Sequence, residues 1–211
     1  MVPANNTTME RELPAWIGGG SSCETVRIPR PPGLLTEETL PAYKKAALDL
    51  AGSFAASDVS VLVYGCTAAG FIMGPRADEA LAGELARLSG KRVVTTASSM
   101  VKVLKQARAR AIALVTPYAE EVNRRLGAFL ASSGIEVRRL ASLGAADTQA
   151  LGRITSSQVA ALAHDTMAED CDALFIACSQ LPTYDIVPGL QQRFGRPVWS
   201  SIQATALAVR H

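Results

Sequence analysis

Histidine is almost missing from this chain, with only His164 and His211 among 211 residues. His164 falls within a predicted helix and His211 is the last residue, so neither stands at a strand end beside a nucleophile. That placement argues against Cys–His hydrolases and Ser–His–Asp triads, which need an imidazole next to the attacking group. Also missing is any basic block: 21 Lys and Arg are scattered among 19 Asp and Glu for a net charge of +2, so nucleic acid is not an expected partner. No apolar run approaches the roughly 20 residues that span a bilayer, and the opening MVPANNTTMERELPAW has neither the basic nor the apolar region of a leader. The reading is a soluble, cytoplasmic protein with no membrane partner. The run Gly18-Gly19-Gly20 is followed by Ser-Ser-Cys without a Lys-Ser/Thr pair, which reads as a flexible turn and excludes a phosphate loop. Four cysteines, Cys23, Cys66, Cys171 and Cys178, show neither disulfide-framework nor zinc-knuckle spacing. They read as free thiols in a reducing compartment, with no metal and no cofactor expected.

What is there is a duplication. Val61-Leu-Val-Tyr-Gly-Cys66-Thr67 and Ala173-Leu-Phe-Ile-Ala-Cys178-Ser179 are both apolar runs that deliver a cysteine followed by a hydroxyl residue. A buried strand ends where its apolar run ends, so each cysteine is expected at the carboxyl edge of a sheet, where open α/β folds bind ligands. Cys171 and Cys178 bracket one predicted strand and should lie about 20 Å apart; only Cys178 gains the edge position, and Cys23 and Cys171 read as structural.

Strands are expected at 25–28, 59–64, 93–96, 111–116, 136–140, 173–177 and 198–200, from their Val, Ile, Leu and Thr content. Helical stripes separate most of them, one after Thr36 carrying Leu40, Tyr43, Ala47, Leu50, Ala51 and Phe54, another before Gly134 carrying Val122, Leu126, Phe129 and Leu130. Thr155 with Gln158 reads as a capping box. Such alternation implies an α/β fold of mainly parallel sheets flanked by helices. Three pairs of landmarks, Pro3 and Pro117, Cys66 and Cys178, Val94 and Val198, repeat at offsets of 114, 112 and 104 positions. They predict two pseudo-symmetric, flavodoxin-like lobes, residues 1–97 and 98–211, with the last helix free to pack back on the first lobe.

In order and spacing these landmarks resemble the aspartate/glutamate racemase superfamily, in particular its branch of maleate cis-trans isomerases and arylmalonate decarboxylases. The resemblance covers nearly the whole chain: Pro3-Ala-Asn-Asn6-Thr7-Thr8-Met9-Glu10 looks like the family's N-terminal signature, and Thr116-Pro117-Tyr118 like the opening of its second lobe. Gly65-Cys66-Thr67 and Ala177-Cys178-Ser179 match its cysteine loops, and Val198-Trp-Ser-Ser-Ile-Gln-Ala-Thr205 its final motif. There are departures. Met1 sits where the family's first strand is already ending, so it reads as an internal methionine or a misplaced start. Asp147-Thr148 stands where the isomerases carry an Asn after an Asp. Asn5 and Asn6 replace the acidic or Ser-Gly residues of the racemases proper.

The resemblance implies a cofactor-independent isomerase of a small, maleate-like dicarboxylate, with Cys66 as nucleophile and Cys178 as acid/base partner. Asn6, Thr67, Tyr118 and Ser179 would supply neutral donors to the substrate. Cys66, at the start of a helix, is expected to be held as a thiolate by unpaired amides. Two other chemistries share the plan: decarboxylation of a substituted malonate, although the decarboxylases carry Gly at the first cysteine's position, and racemisation of an amino acid or hydantoin. A small-acid binding protein is the non-enzyme alternative. Family members commonly associate, so a homo-oligomer is a further expectation. Asn5 and Asn6 also suit helix capping, Phe71 and Met73 suit the core, and Phe71, Met73 and Tyr184 are expected to set the pocket's size.

Overall fold

The computed structural model describes residues 1–30 and 33–210; His211 lies outside the described residues. The first half contains β1 (Val2–Pro3), α1 (Met9–Ile17), β2 (Arg27–Ile28), α2 (Leu40–Ala51), β3 (Val61–Tyr64), α3 (Thr67–Phe71), α4 (Pro75–Ser89), β4 (Arg92–Thr95) and α5 (Thr96–Gln106). The second contains β5 (Ala111–Thr116), α6 (Glu120–Ala131), β6 (Glu136–Ser142), α7 (Thr148–Gly152), α8 (Ser156–Thr166), β7 (Ala173–Ile176), α9 (Val187–Phe194), β8 (Val198–Ser200) and α10 (Ser201–Arg210). The fold is α/β, with parallel sheets flanked by helices.

The second half holds one parallel sheet of order β6-β5-β7-β8. β5 is central and buried along its whole length, as a strand without a charged side chain can be when helices cover both faces. Leu114, Phe175 and Ile176 are fully enclosed, each worth about 1.5–3 kcal/mol of burial. β6 is one of the two edge strands and carries the exposed Arg138 and Arg139, charge of the kind that keeps an open edge from pairing further.

The first half builds the same order from two short pairs, β1-β2 and β3-β4. Met1 joins them: its ammonium donates to Val63 O at 2.8 Å and its carbonyl accepts from Gly65 N at 2.8 Å, while Val2 N donates to Val26 O at 3.0 Å. The resulting order β2-β1-β3-β4 repeats that of the second half. In both halves the last strand runs straight into a helix, β4 into α5 and β8 into α10, and these two helices pack on each other. α10 also packs along α1, and Arg92 donates to Ala208 O at 3.1 Å.

The expected strand at 25–28 is shorter, and that at 59–64 starts only at Val61. The capping box at Thr155 and Gln158 is present at the start of α8. Met73 is not core: α3 stops at Phe71, and the turn closed by Gly74 N to Phe71 O leaves Met73 53% exposed. Cys171 is buried, but Cys23 is exposed in the loop before β2, so it has no packing role of the kind expected.

Candidate active site

The carboxyl ends of β1, β2, β3, β5 and β7 converge on one cavity of about 130 Å³, far below the roughly 300–1,000 Å³ of drug-sized pockets. Cys66 and Cys178 both line it, as do Asn6, Thr67, Tyr118 and Ser179, so every residue singled out from the sequence as catalytic or substrate-binding reaches the same space. A larger hollow of about 700 Å³ lies at the amino ends of the strands, along Val59 to Val63 and the loop of Cys23. Open parallel sheets bind ligands at the opposite, carboxyl end, which favours the smaller cavity.

Asn6 shows how tightly the loop after β1 is specified. Its Oδ1 accepts from Thr8 N at 3.1 Å and Met9 N at 3.0 Å, capping α1, and its Nδ2 donates to Ser179 Oγ at 3.0 Å. Ser179 Oγ in turn donates to Gly65 O at 2.8 Å. One asparagine therefore caps a helix and joins both cysteine loops, with one amide hydrogen left over. Gly65 has no room for a side chain: a Cβ there would meet Met9 Sδ at 2.6 Å. Thr7 N donates to Gln180 Oε1 at 3.2 Å, and the Glu12 carboxylate accepts from Thr183 N at 2.9 Å and Thr183 Oγ1 at 3.0 Å. The loop that follows Cys178 is thus fastened to α1.

Cys66 is the N-cap residue of α3. Burial pushes its thiol up, and the amides of Ala69 and Ala68, the Arg30 guanidinium and the Tyr43 hydroxyl only partly offset this. The expectation of a helix-stabilised thiolate fails for that reason: α3 has five residues, and desolvation outweighs its amides. Burial likewise pushes Cys178 up to about 11, against hydrogen bonding from Gln180 N, which lies 3.4 Å from the sulfur. A negative charge on Cys66 raises Cys178 further.

Tyr118 lies on the loop between β5 and α6, its N–H donating to Thr116 Oγ1 at 3.2 Å. Its hydroxyl adjoins Cys178 and Thr67, yet among the described residues neither Tyr118 Oη nor Thr67 Oγ1 has a partner in hydrogen-bond geometry. Buried hydroxyls without partners are uncommon and costly, and here two of them face a cavity. Tyr43, on α2, brings its buried hydroxyl beside Cys66, near enough to favour the thiolate though among the described residues it has no partner in strict hydrogen-bond geometry; its sequence signal was only a helical stripe.

Phe71, Met73 and Tyr184 do not bound the cavity. Phe71 packs edge-on against Tyr118 with centroids 5.6 Å apart, and Tyr184 packs on Trp16 at 4.9 Å. Leu34, Leu35, Val122 and Leu151 form the apolar wall instead. Asp147 caps α7 by accepting from Ala150 N at 2.7 Å, which brings Leu151 to the wall. Arg30 also lines the cavity and had no signal in the sequence beyond its charge. Among the described residues no group of three or more His, Cys, Asp or Glu is arranged to hold a metal, and no helix is long and apolar enough to cross a membrane.

Two buried thiols share one small cavity at the carboxyl ends of repeated parallel strands, an arrangement suited to an enzyme acting on a small molecule. The family follows from comparison: residues 35–210 match the profile described as arylmalonate decarboxylase, and the chain belongs to that family. Among curated proteins it is 29% identical to the maleate isomerase of Nocardia farcinica, covering 99% of this chain and 86% of that one. It is 27% identical to the arylmalonate decarboxylase of Bordetella bronchiseptica, covering 97% and 82%. Among solved structures, the Nocardia farcinica maleate cis-trans isomerase bound to TRIS superposes with a TM-score of 0.85 over 99% of this chain and 88% of that one. A Cys-to-Ser mutant of the same enzyme, holding a covalently bound succinylcysteine intermediate, is 29% identical and superposes at 0.84 over the same shares.

Proposed function

We propose that the protein is a cofactor-independent cis-trans isomerase of a small, maleate-like dicarboxylate. The observation that carries this reading is the meeting of Cys66 and Cys178 in one small cavity without a carboxylate in its lining. Cys66, once ionised, attacks one alkene carbon; the C–S bond forms and the π pair moves into the adjacent carboxylate as an enediolate. Cys178 gives its thiol proton to the neighbouring carbon, leaving a succinyl adduct on Cys66 and a thiolate on Cys178. Rotation about the new single bond exchanges the two geometries. Cys178 then takes the proton back, the double bond re-forms and Cys66 leaves as a thiolate, so atoms and electrons balance over the cycle. Thr67 Oγ1, Tyr118 Oη and the remaining Asn6 amide hydrogen are the donors for carboxylate and enediolate oxygens. Ser179, whose hydroxyl proton goes to Gly65 O, positions Asn6 and bounds the site. The covalent succinylcysteine of the related Nocardia farcinica enzyme supports the chemistry. Four free thiols fit a cytoplasmic location.

Proton NMR of maleate in deuterated buffer, followed by intact-protein mass spectrometry, tests the reading. Fumarate should appear, with a covalent mass increment that Cys66→Ser abolishes, and Cys178→Ser should lower turnover by about 10²–10⁴-fold. A wild-type rate in both variants would remove the thiols from the mechanism. The apolar wall of Leu34, Leu35, Val122 and Leu151 favours one second reading, decarboxylation of a substituted malonate. Carbon dioxide release from an arylmalonate, with no conversion of maleate, would establish it instead.

A further inference from the structure

Among the described residues, Arg30 is the one charged side chain that lines the cavity. Its guanidinium is held by neutral acceptors, Nη1 donating to Asn5 Oδ1 at 3.3 Å and Nη2 to Gly33 O at 2.5 Å. It forms no ion pair with a carboxylate among the described residues. A guanidinium has five N–H donors in a planar fork; two are used, and three remain for a planar anion. The loop between β2 and α2 thus brings an unpaired cation to a half-buried site whose other polar groups are thiols, hydroxyls and amides.

We propose that Arg30 is the recognition residue for one carboxylate of the substrate, and that it makes the site selective for a carboxylate over a neutral amide at that position. The proposal rests on the isomerase reading only for the name of the substrate class; anion recognition beside Cys66 stands separately. Hydroxyls and amides hold a carboxylate by hydrogen bonds alone, and do so equally for a neutral amide oxygen. A guanidinium distinguishes the two by charge. Its field also acts on Cys66, where it opposes the effect of burial. The cation therefore assists nucleophile and substrate together, and a carboxylate beside it gains what an amide in the same place does not.

The test uses two alkylating reagents of nearly equal size, anionic iodoacetate and neutral iodoacetamide. Rates are read at Cys66 by peptide mass spectrometry in a Cys178→Ser background. Wild-type Arg30 should favour iodoacetate relative to its ratio with a free thiol, and Arg30→Met should lower that preference about tenfold, the order expected for one partly screened charge at close range. Arg30→Lys should restore part of it. With Arg30 intact, raising salt from 0.02 to about 0.5 M should also erode the preference, so the idea stays testable even if Arg30→Met fails to fold. A general loosening of the loop would change both reagents alike and leave the ratio unmoved. An unmoved ratio in a folded Arg30→Met, or no salt dependence in the protein with Arg30 intact, overturns the proposal. If maleate is not turned over but the ratio falls as expected, anion recognition by Arg30 holds and the isomerase reading fails alone.

Discussion

Asp78 offers a test of the structure that does not depend on the substrate. It lies on α4, 4% exposed, with Oδ2 accepting from Thr95 Oγ1 at 2.7 Å, while the Ser98 N–H that caps α5 on Thr95 Oγ1 lies close enough to favour the charged carboxylate. Oδ1 has no partner and faces α3, where a Cβ on Gly70 would come within 2.7 Å of it. Burial raises this carboxyl from an ordinary 3.8 to about 6, against the lowering effect of the Thr95 hydroxyl and the nearby Ser98 N–H. The folded protein therefore binds the Asp78 proton more tightly than the unfolded chain, and stability falls as pH rises from about 4 to about 6. Above that window the ionised carboxylate costs roughly 3 kcal/mol, and below it the cost vanishes. Asp78→Asn stays neutral at every pH. It keeps an oxygen for Thr95 but turns an unpaired amide toward Gly70, which returns about 1 kcal/mol of the gain. The variant should be more stable than the wild type by about 2 kcal/mol at pH 8, a rise in Tm of about 4–8 °C for a chain of this length. At pH 4 the advantage should disappear. Urea unfolding at the two pH values gives both numbers. A variant destabilised equally at pH 4 and pH 8 would refute the reasoning, because the charged hydrogen bond from Thr95 and the nearby Ser98 N–H would then outweigh desolvation.

Three further outcomes follow from the same coordinates. Because burial lifts Cys66 above its ordinary value of 9.0, kcat/KM should climb about tenfold per pH unit from 7 toward 9, and a plateau beginning near 7 would show that the free enzyme already holds a thiolate. Glu12→Ala removes the acceptor for Thr183 N and Oγ1; a loss of about 1–3 kcal/mol in urea unfolding is expected, together with a lower kcat, since the loop after Cys178 is released. Gly65→Ala forces a methyl against Met9 Sδ and Val2 Cγ1 at 2.6 and 2.9 Å and should cost about 1–3 kcal/mol, and an unchanged Tm would mean that α1 yields freely.

The residues that show how far sequence alone reaches are those at strand ends. Cys66 and Cys178 follow runs with no charged residue, and a run of that kind has one arrangement in a parallel sheet: buried until its last residue, then exposed at the carboxyl edge. Thr155 and Gln158 are legible because a capping box is local. Arg30 and Glu12 are not, since each acts on partners distant in sequence: Arg30 reaches a cavity assembled from five strand ends, and Glu12 meets Thr183 171 positions away. Tyr43 was visible as one member of a helical stripe, but periodicity reports which face is buried and not what a hydroxyl on that face meets. The misjudged pocket wall has the same cause. Phe71 and Met73 are near Cys66 in sequence, yet the short α3 turns one toward Tyr118 and the other to solvent, leaving the wall to Leu34, Leu35, Val122 and Leu151 from three other segments.

The protonated state of both thiols bears on why there are two. An isomerisation through a covalent adduct needs a thiolate to attack and a thiol to donate at the same moment. Independent cysteines of equal and low pKa would both be charged, and the donor would be lost. Burial in one cavity prevents that: each thiol resists ionisation, and a charge on Cys66 raises Cys178 further. The pair then titrates as a unit that accepts one negative charge well before a second. Local groups choose the site of that charge. The amides of Ala68 and Ala69, Arg30 and Tyr43 lower Cys66, whereas the chief groups that lower Cys178 are the Gln180 and Leu181 amides and Tyr118. In the proposed cycle the first proton therefore leaves Cys66, and Cys178 keeps the one it is to deliver. The same asymmetry reverses after attack, when the sulfur of Cys66 is a neutral thioether and no longer opposes a charge on Cys178. Coupling between two buried thiols thus supplies both halves of the proton cycle, with the cation beside Cys66 fixing the direction in which it starts.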